Sequence, residues 1–88
     1  MNYRTEILNG YTAVVGHIFN PHEIQVGSRW VPADGSNQIV TVEDLISYGG
    51  GDWIEVVYSW ELEGVRDINE KDAFAFQCRY CLVCEELK

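Results

Sequence analysis

Basic residues are scarce in this chain: six Lys and Arg stand against 14 Asp and Glu, for a formal charge of −8. Phosphate contact needs clustered cations, so this balance excludes direct nucleic-acid binding. Long apolar runs are also missing. None approaches the ~18 residues of a membrane-crossing helix, so no membrane span is expected. The opening Met1-Asn2-Tyr3-Arg4-Thr5-Glu6 lacks the basic-then-apolar order of a secretory leader, and the expected location is the cytoplasm. Cysteine occurs only at Cys78, Cys81 and Cys84, an odd number that argues against a closed disulfide framework. Disorder is excluded by what is present instead: 47% of the residues are hydrophobic and 12% aromatic. The 88 residues amount to one domain, small but able to bury a core.

Two segments alternate with a period of two. From Trp53 the chain runs Ile54-Glu55-Val56-Val57-Tyr58-Ser59-Trp60-Glu61. Ile54, Val56, Tyr58 and Trp60 share one face; Trp53, Glu55, Val57, Ser59 and Glu61 share the other. This is the signature of a half-buried strand. In the second segment Phe74, Phe76, Cys78, Tyr80 and Leu82 alternate with smaller or polar residues, and the same rule predicts a strand over 74–83.

Further strands are expected around these two. Residues 24–31 alternate if Gly27 is a bulge or a close-packing point. Residues 32–37, with Asp34-Gly35, form a turn, and the β-branched 38–46 follow as the partner strand. Gly49-Gly50-Gly51 is a loop, and Glu63-Gly64 a turn into 65–68. Asn69 is placed to cap a single 3-10 turn over 69–74. At the front, Asn9-Gly10 predicts a hairpin between 6–8 and 11–19, with a short helix over 13–19 as the alternative. An all-β fold follows. Four or five bent strands closed into a small barrel over 24–84, with 1–23 as an added N-terminal hairpin or extension, bury these faces without open edges.

Val26-Gly27-Ser28-Arg29-Trp30-Val31, Val40-Thr41-Val42, Val56-Val57-Tyr58 and Phe74-x-Phe76-x-x-Arg79-Tyr80 resemble small uncharacterised phage and prophage proteins with a Src-homology-3-like barrel. In these a Gly-x-x-Trp or Gly-x-x-Tyr opens the barrel and an aromatic motif ending in Tyr closes it. The resemblance covers residues 24–84. It implies a fold of about five strands and a place in the host cytoplasm, and brings no catalytic residue or cofactor with it.

Candidate chemistry is thin. Cys78-x-x-Cys81 has the spacing of a zinc knuckle, with His17 or His22 as further ligands. On a strand, however, that spacing puts the two thiols on opposite faces, and structural cysteines are the favoured reading. Neither a Cys–His nucleophile nor a phosphate cradle at Gly49–Gly51 has its supporting residues nearby. The chain is therefore read as a non-enzyme.

Charge and aromatics are more informative. Seven acids fall between Asp52 and Asp72, against Arg66 and Lys71. Three Trp, five Tyr and three Phe exceed what a small barrel interior holds, and Trp53 faces away from the core side beside the glycine loop. The expected function is a protein-interaction module with an acidic, Trp-bearing face built from Trp30, Trp53, Glu55, Glu61 and Arg79. Its partner is an unidentified protein or a second copy in a homodimer. The alternatives are an acidic inhibitor that imitates nucleic acid before a host nucleic-acid enzyme, and a small zinc-binding domain.

Overall fold

Asn9 and Gly10 both hold positive φ, 51° and 83°, as do Glu63 and Gly64, at 53° and 81°. This is the pairing that a two-residue hairpin turn with the right twist demands. Each turn joins two strands of a computed structural model that describes residues 4–84. The first links β1 (Arg4–Leu8) to β2 (Tyr11–Val15), so the expected N-terminal hairpin is present and the helical alternative is not. Beyond it come β3 (Arg29–Pro32), β4 (Val40–Tyr48), β5 (Trp53–Leu62) and β6 (Val65–Asp72). A helix α1 (Ala73–Arg79) and a short β7 (Tyr80–Leu82) complete the order.

β1 and β2 form a two-stranded sheet. The other five form one antiparallel sheet in the order β6-β5-β4-β3-β7. The all-β class stands, but the barrel does not close. Among the described residues no ladder joins β6 to β7, the two ends of the sheet. Helix α1 packs against β5, β6 and β7 instead. Among the described residues no helix is long and apolar enough to cross a membrane.

The helix corrects two expectations. Residues 69–72 do not form a turn: they extend β6 along β5, pairing Asn69 with Tyr58 and Asp72 with Glu55. The cap falls three residues beyond Asn69, at Asp72, whose carboxylate accepts the Ala75 N–H at 3.0 Å. Residues 73–79 then coil rather than extend. Ala73, Phe76 and Tyr80 are spaced as one helical face and its continuation, and all three are buried, while Phe74 is 62% exposed. Over so short a window the aromatic spacing fits both periods, and the cap decides between them. Gln77 ties the helix to the preceding loop: its Oε1 accepts the Phe19 N–H and its Nε2 donates to the Phe19 carbonyl at 2.8 Å.

The strand expected over 24–31 is also shorter. Gly27, with φ of 90°, sits in a turn in which the Ser28 N–H bonds to the Gln25 carbonyl at 3.1 Å, and β3 starts only at Arg29. Open space surrounds the position of a Cβ there, so turn conformation rather than close packing explains the glycine.

One face of the large sheet and α1 enclose the main core, and Phe76 is its hub. Its ring meets Trp30 edge-on at 5.1 Å, Tyr58 at 5.2 Å and Tyr80 at 5.0 Å. Val40, Val42, Ile54 and Val56 supply the aliphatic floor. A second, smaller core lies on the other face of β3 and β7. There β2 lays Ala13 against Val31 and Val83, with a single bridge between Ala13 and Val83. Phe76→Ala is expected to lower the unfolding free energy by about 3–5 kcal/mol. Phe74→Ala should change it by less than about 0.5 kcal/mol, as urea melts would record. A strand over 74–78 would bury both rings on one face and make the two losses alike.

Candidate functional site

Directly paired residues of antiparallel strands point to the same side, so the registers define the solvent face of β4, β5 and β6. Tyr48 opposes Trp53 at one end. Next come Ile46, Glu55 and Asp72 across the three strands, then Asp44, Val57 and Glu70, then Thr41, Ser59 and Ile68, and finally Glu61 and Arg66. A bulge between Val42 and Asp44 adds Glu43 to the same side. The face therefore carries Glu43, Asp44, Glu55, Glu61 and Glu70 against Arg66. Lys71, the other cation of these strands, pairs with Val56 on the opposite side.

Local bonds make this density tolerable. Glu55 and Asp72 are direct cross-strand partners, a destabilising pairing of like charges. Asp72 turns to cap α1, and Glu55 Oε2 accepts the Trp53 indole N–H at 2.5 Å. Glu43 accepts the Ser59 hydroxyl and pairs with Arg66 at 2.6 Å. The Ser59 bond first, and Arg66 second, hold the Glu43 carboxyl below its ordinary value.

Of the residues expected to form the site, Trp53, Glu55 and Glu61 do share this face. Trp53, 53% exposed, and Glu55 touch; Glu61 lies eight residues beyond Trp53 along β5, about 25 Å from it. Trp30 does not belong with them. It is 2% exposed in the main core, where its indole N–H donates to the Ser28 hydroxyl at 2.9 Å, because its position in β3 points inward. Arg79 is exposed but ends α1, near Asp34, apart from this face. Tyr48, 47% exposed beside Trp53, was missed, as were Glu43 and Asp44. The alternation of β4 carries the signal for Tyr48, but the bulge hides that Glu43 and Asp44 point the same way.

The hairpin of β1 and β2 covers Val31 and Val83 rather than Trp53, which stays about half exposed. At the Glu61 end a polar hollow of about 370 Å³ is lined by Arg29, Gln38, Glu43, Trp60, Glu61 and Arg66. A second hollow, of about 400 Å³, lies over Trp30 between Phe19, Glu23, Leu82 and Cys84. The glycine turn at Gly49–Gly51 leads into a strand, so no helix N-terminus stands behind it to hold a phosphate. Cys78 is exposed on α1, whereas Cys81 and Cys84 are half-buried. Among the described residues no three His, Cys, Asp or Glu gather where a metal ion would be held.

Two outcomes follow. Ser59→Ala should raise the Glu43 titration midpoint, seen by carboxyl NMR, toward 4.5. Because the folded value is depressed, the stability it lends is present above 4.5 and lost as pH falls through the folded value; the deficit of Ser59→Ala should shrink over that range. Ellman's reagent should find one fast thiol, Cys78, and two slow ones. Burial, with Glu6 adding to it at Cys81, pushes Cys81 and Cys84 up and starves them of thiolate. In comparison with known proteins, no family model, no curated protein and no solved structure matches this chain, so the reading of its site rests on its own geometry.

Proposed function

We propose that the chain is a non-enzymatic protein-interaction module, with the outward face of β4, β5 and β6 as its docking surface for a basic protein. The observation that carries this reading is the exposed Tyr48–Trp53 pair at one end of a row of carboxylates, with Trp53 locked to Glu55. A large ring held in one rotamer gives up little freedom on binding, and such aromatics dominate contact energetics. The carboxylates add steering and select the charge of the partner. Acids along the face are spread over several rows from Glu55 to Glu61 rather than converging on a point, which suits docking better than acid–base catalysis.

The motifs Val26-Gly27-Ser28-Arg29-Trp30-Val31 and Phe74-x-Phe76-x-x-Arg79-Tyr80 are the ground for proposing a likeness to Src-homology-3-like phage and prophage proteins, with a host cytoplasm as the place of action. Imitation of nucleic acid fits the face less well. Ile46, Val57 and Ile68 lie between the acids and interrupt any phosphate-like array.

The test is an NMR titration with a Lys/Arg-rich peptide beside its Glu-rich counterpart. The basic peptide alone should move the Trp53 indole signal, more weakly as salt rises. Trp53→Ala should weaken binding at least about tenfold, and Glu55→Lys should also flatten the salt dependence. Equal affinity in wild type and both variants would refute the reading.

A further inference from the structure

Among the described residues, β6 is an unpaired edge of the large sheet. It runs for eight residues opposite β5 without a register shift, contains no proline, and leaves Ile68 60% exposed. A long, regular, unpaired edge is a template for another strand. Which backbone groups are free follows from the Glu63–Gly64 turn. Its closing bond runs from the Val65 N–H to the Leu62 carbonyl, so Val65 and every second residue after it face β5. The N–H and C=O groups of Arg66, Ile68 and Glu70 point away from the sheet.

We infer that this edge pairs with β6 of a second copy, antiparallel about a two-fold axis at Ile68, to make one continuous sheet. The side-chain pattern selects that register. For the two outward faces to run on into each other, the axis must pass through a residue. Centred on Ile68, Arg66 opposes Glu70 of the other copy twice, Ile68 meets itself, Asp67 meets Asn69, and Val65 meets Lys71. No like charges face each other. Centred on Asp67 or Glu70, an acid meets itself at the axis. Centred on Asn69, Ile68 would lie against a Glu70 carboxylate, and Arg66 would need Asp72, which is already committed to capping α1. The pairing residues at the Ile68 axis are also those with outward-facing backbone groups, so the ladder closes without a shift. Arg66 keeps Glu43 in this arrangement, because its guanidinium has five N–H donors.

This inference does not depend on the docking function: Arg66 and Glu70 border both surfaces, but the dimer needs the backbone edge of β6 and Ile68, whereas docking needs the Tyr48–Trp53 end. Sedimentation equilibrium of the full chain is the test. The wild type should show a concentration-dependent monomer–dimer equilibrium, and Ile68→Asp should be monomeric. Arg66→Glu and Glu70→Arg should each weaken the dimer about tenfold or more, because each sets two like-charge pairs across the seam. Mixed together, these two variants should form a heterodimer, a result that misfolding of either cannot imitate. In a Cys78→Ser background, Ile68→Cys should cross-link to itself on mild oxidation, because hydrogen-bonded cross-strand partners lie within disulfide reach. A wild type that stays monomeric, or a dimer indifferent to Ile68→Asp, would overturn the inference.

Discussion

Phe76 stands between two ends of a sheet that never meet. Its ring contacts Trp30 of β3, Tyr58 of β5 and Tyr80 of β7, so one side chain on a two-turn helix joins β5 to the paired strands β3 and β7, to which, among the described residues, no ladder links it directly. Dispersion and burial thus do the work that closure does in a barrel. Such contacts set no register between β6 and β7, so the ladder with β5 alone fixes the register of β6. The position of β6 depends instead on the unbroken β5 register and on Asp72, which ends the strand and begins the helix in one residue.

The period-two rhythm of β5 places opposite demands on its two sides. Inward, Ile54, Val56 and Tyr58 meet the core; outward, Trp53, Glu55 and Glu61 meet water. An acidic face raises its own free energy by self-repulsion, and each local bond here reduces that strain differently. Glu43 takes a hydroxyl and a guanidinium, Glu55 an indole, Asp72 a helix terminus. Glu61 and Glu70 lie toward the margins of the sheet. What remains is a net negative field beside two half-exposed aromatic side chains, a combination that folding does not require.

Much of this was legible in the chain. The alternation of 53–61 gave β5 its length and facing, Asn9-Gly10 gave the hairpin, and Glu63-Gly64 the turn into β6. Trp53, Glu55 and Glu61 therefore emerged on one side. The failures share a cause: short windows in which two periods fit the same residues. Phe74, Phe76 and Tyr80 alternate as a strand would, yet Ala73, Phe76 and Tyr80 fit a helical face equally well. Deciding between them required knowing that β5 is long enough to draw 69–72 into pairing, which leaves Asp72 rather than Asn69 as the cap. Trp30 failed differently. Its sequence neighbours do not reveal that both faces of β3 are covered, one by α1 and the main core, the other by the hairpin.

The missing barrel and the exposed edge are one fact seen twice. Closure would have consumed the outer hydrogen bonds of β6 and removed the aggregation hazard that small sheets otherwise carry. A helix seals the core as well, but it offers side chains and no backbone ladder, so among the described residues the outer N–H and C=O groups of β6 find no strand partner. Charge then has to control the edge, and the charges on β6 are not uniform. Arg66 and Glu70 stand symmetrically about Ile68, so repulsion guards most alignments and attraction favours one. An edge meant only to be blunted would do as well with acids throughout. The placed arginine, already anchored by Glu43, makes sense if β6 meets a strand of the same sequence.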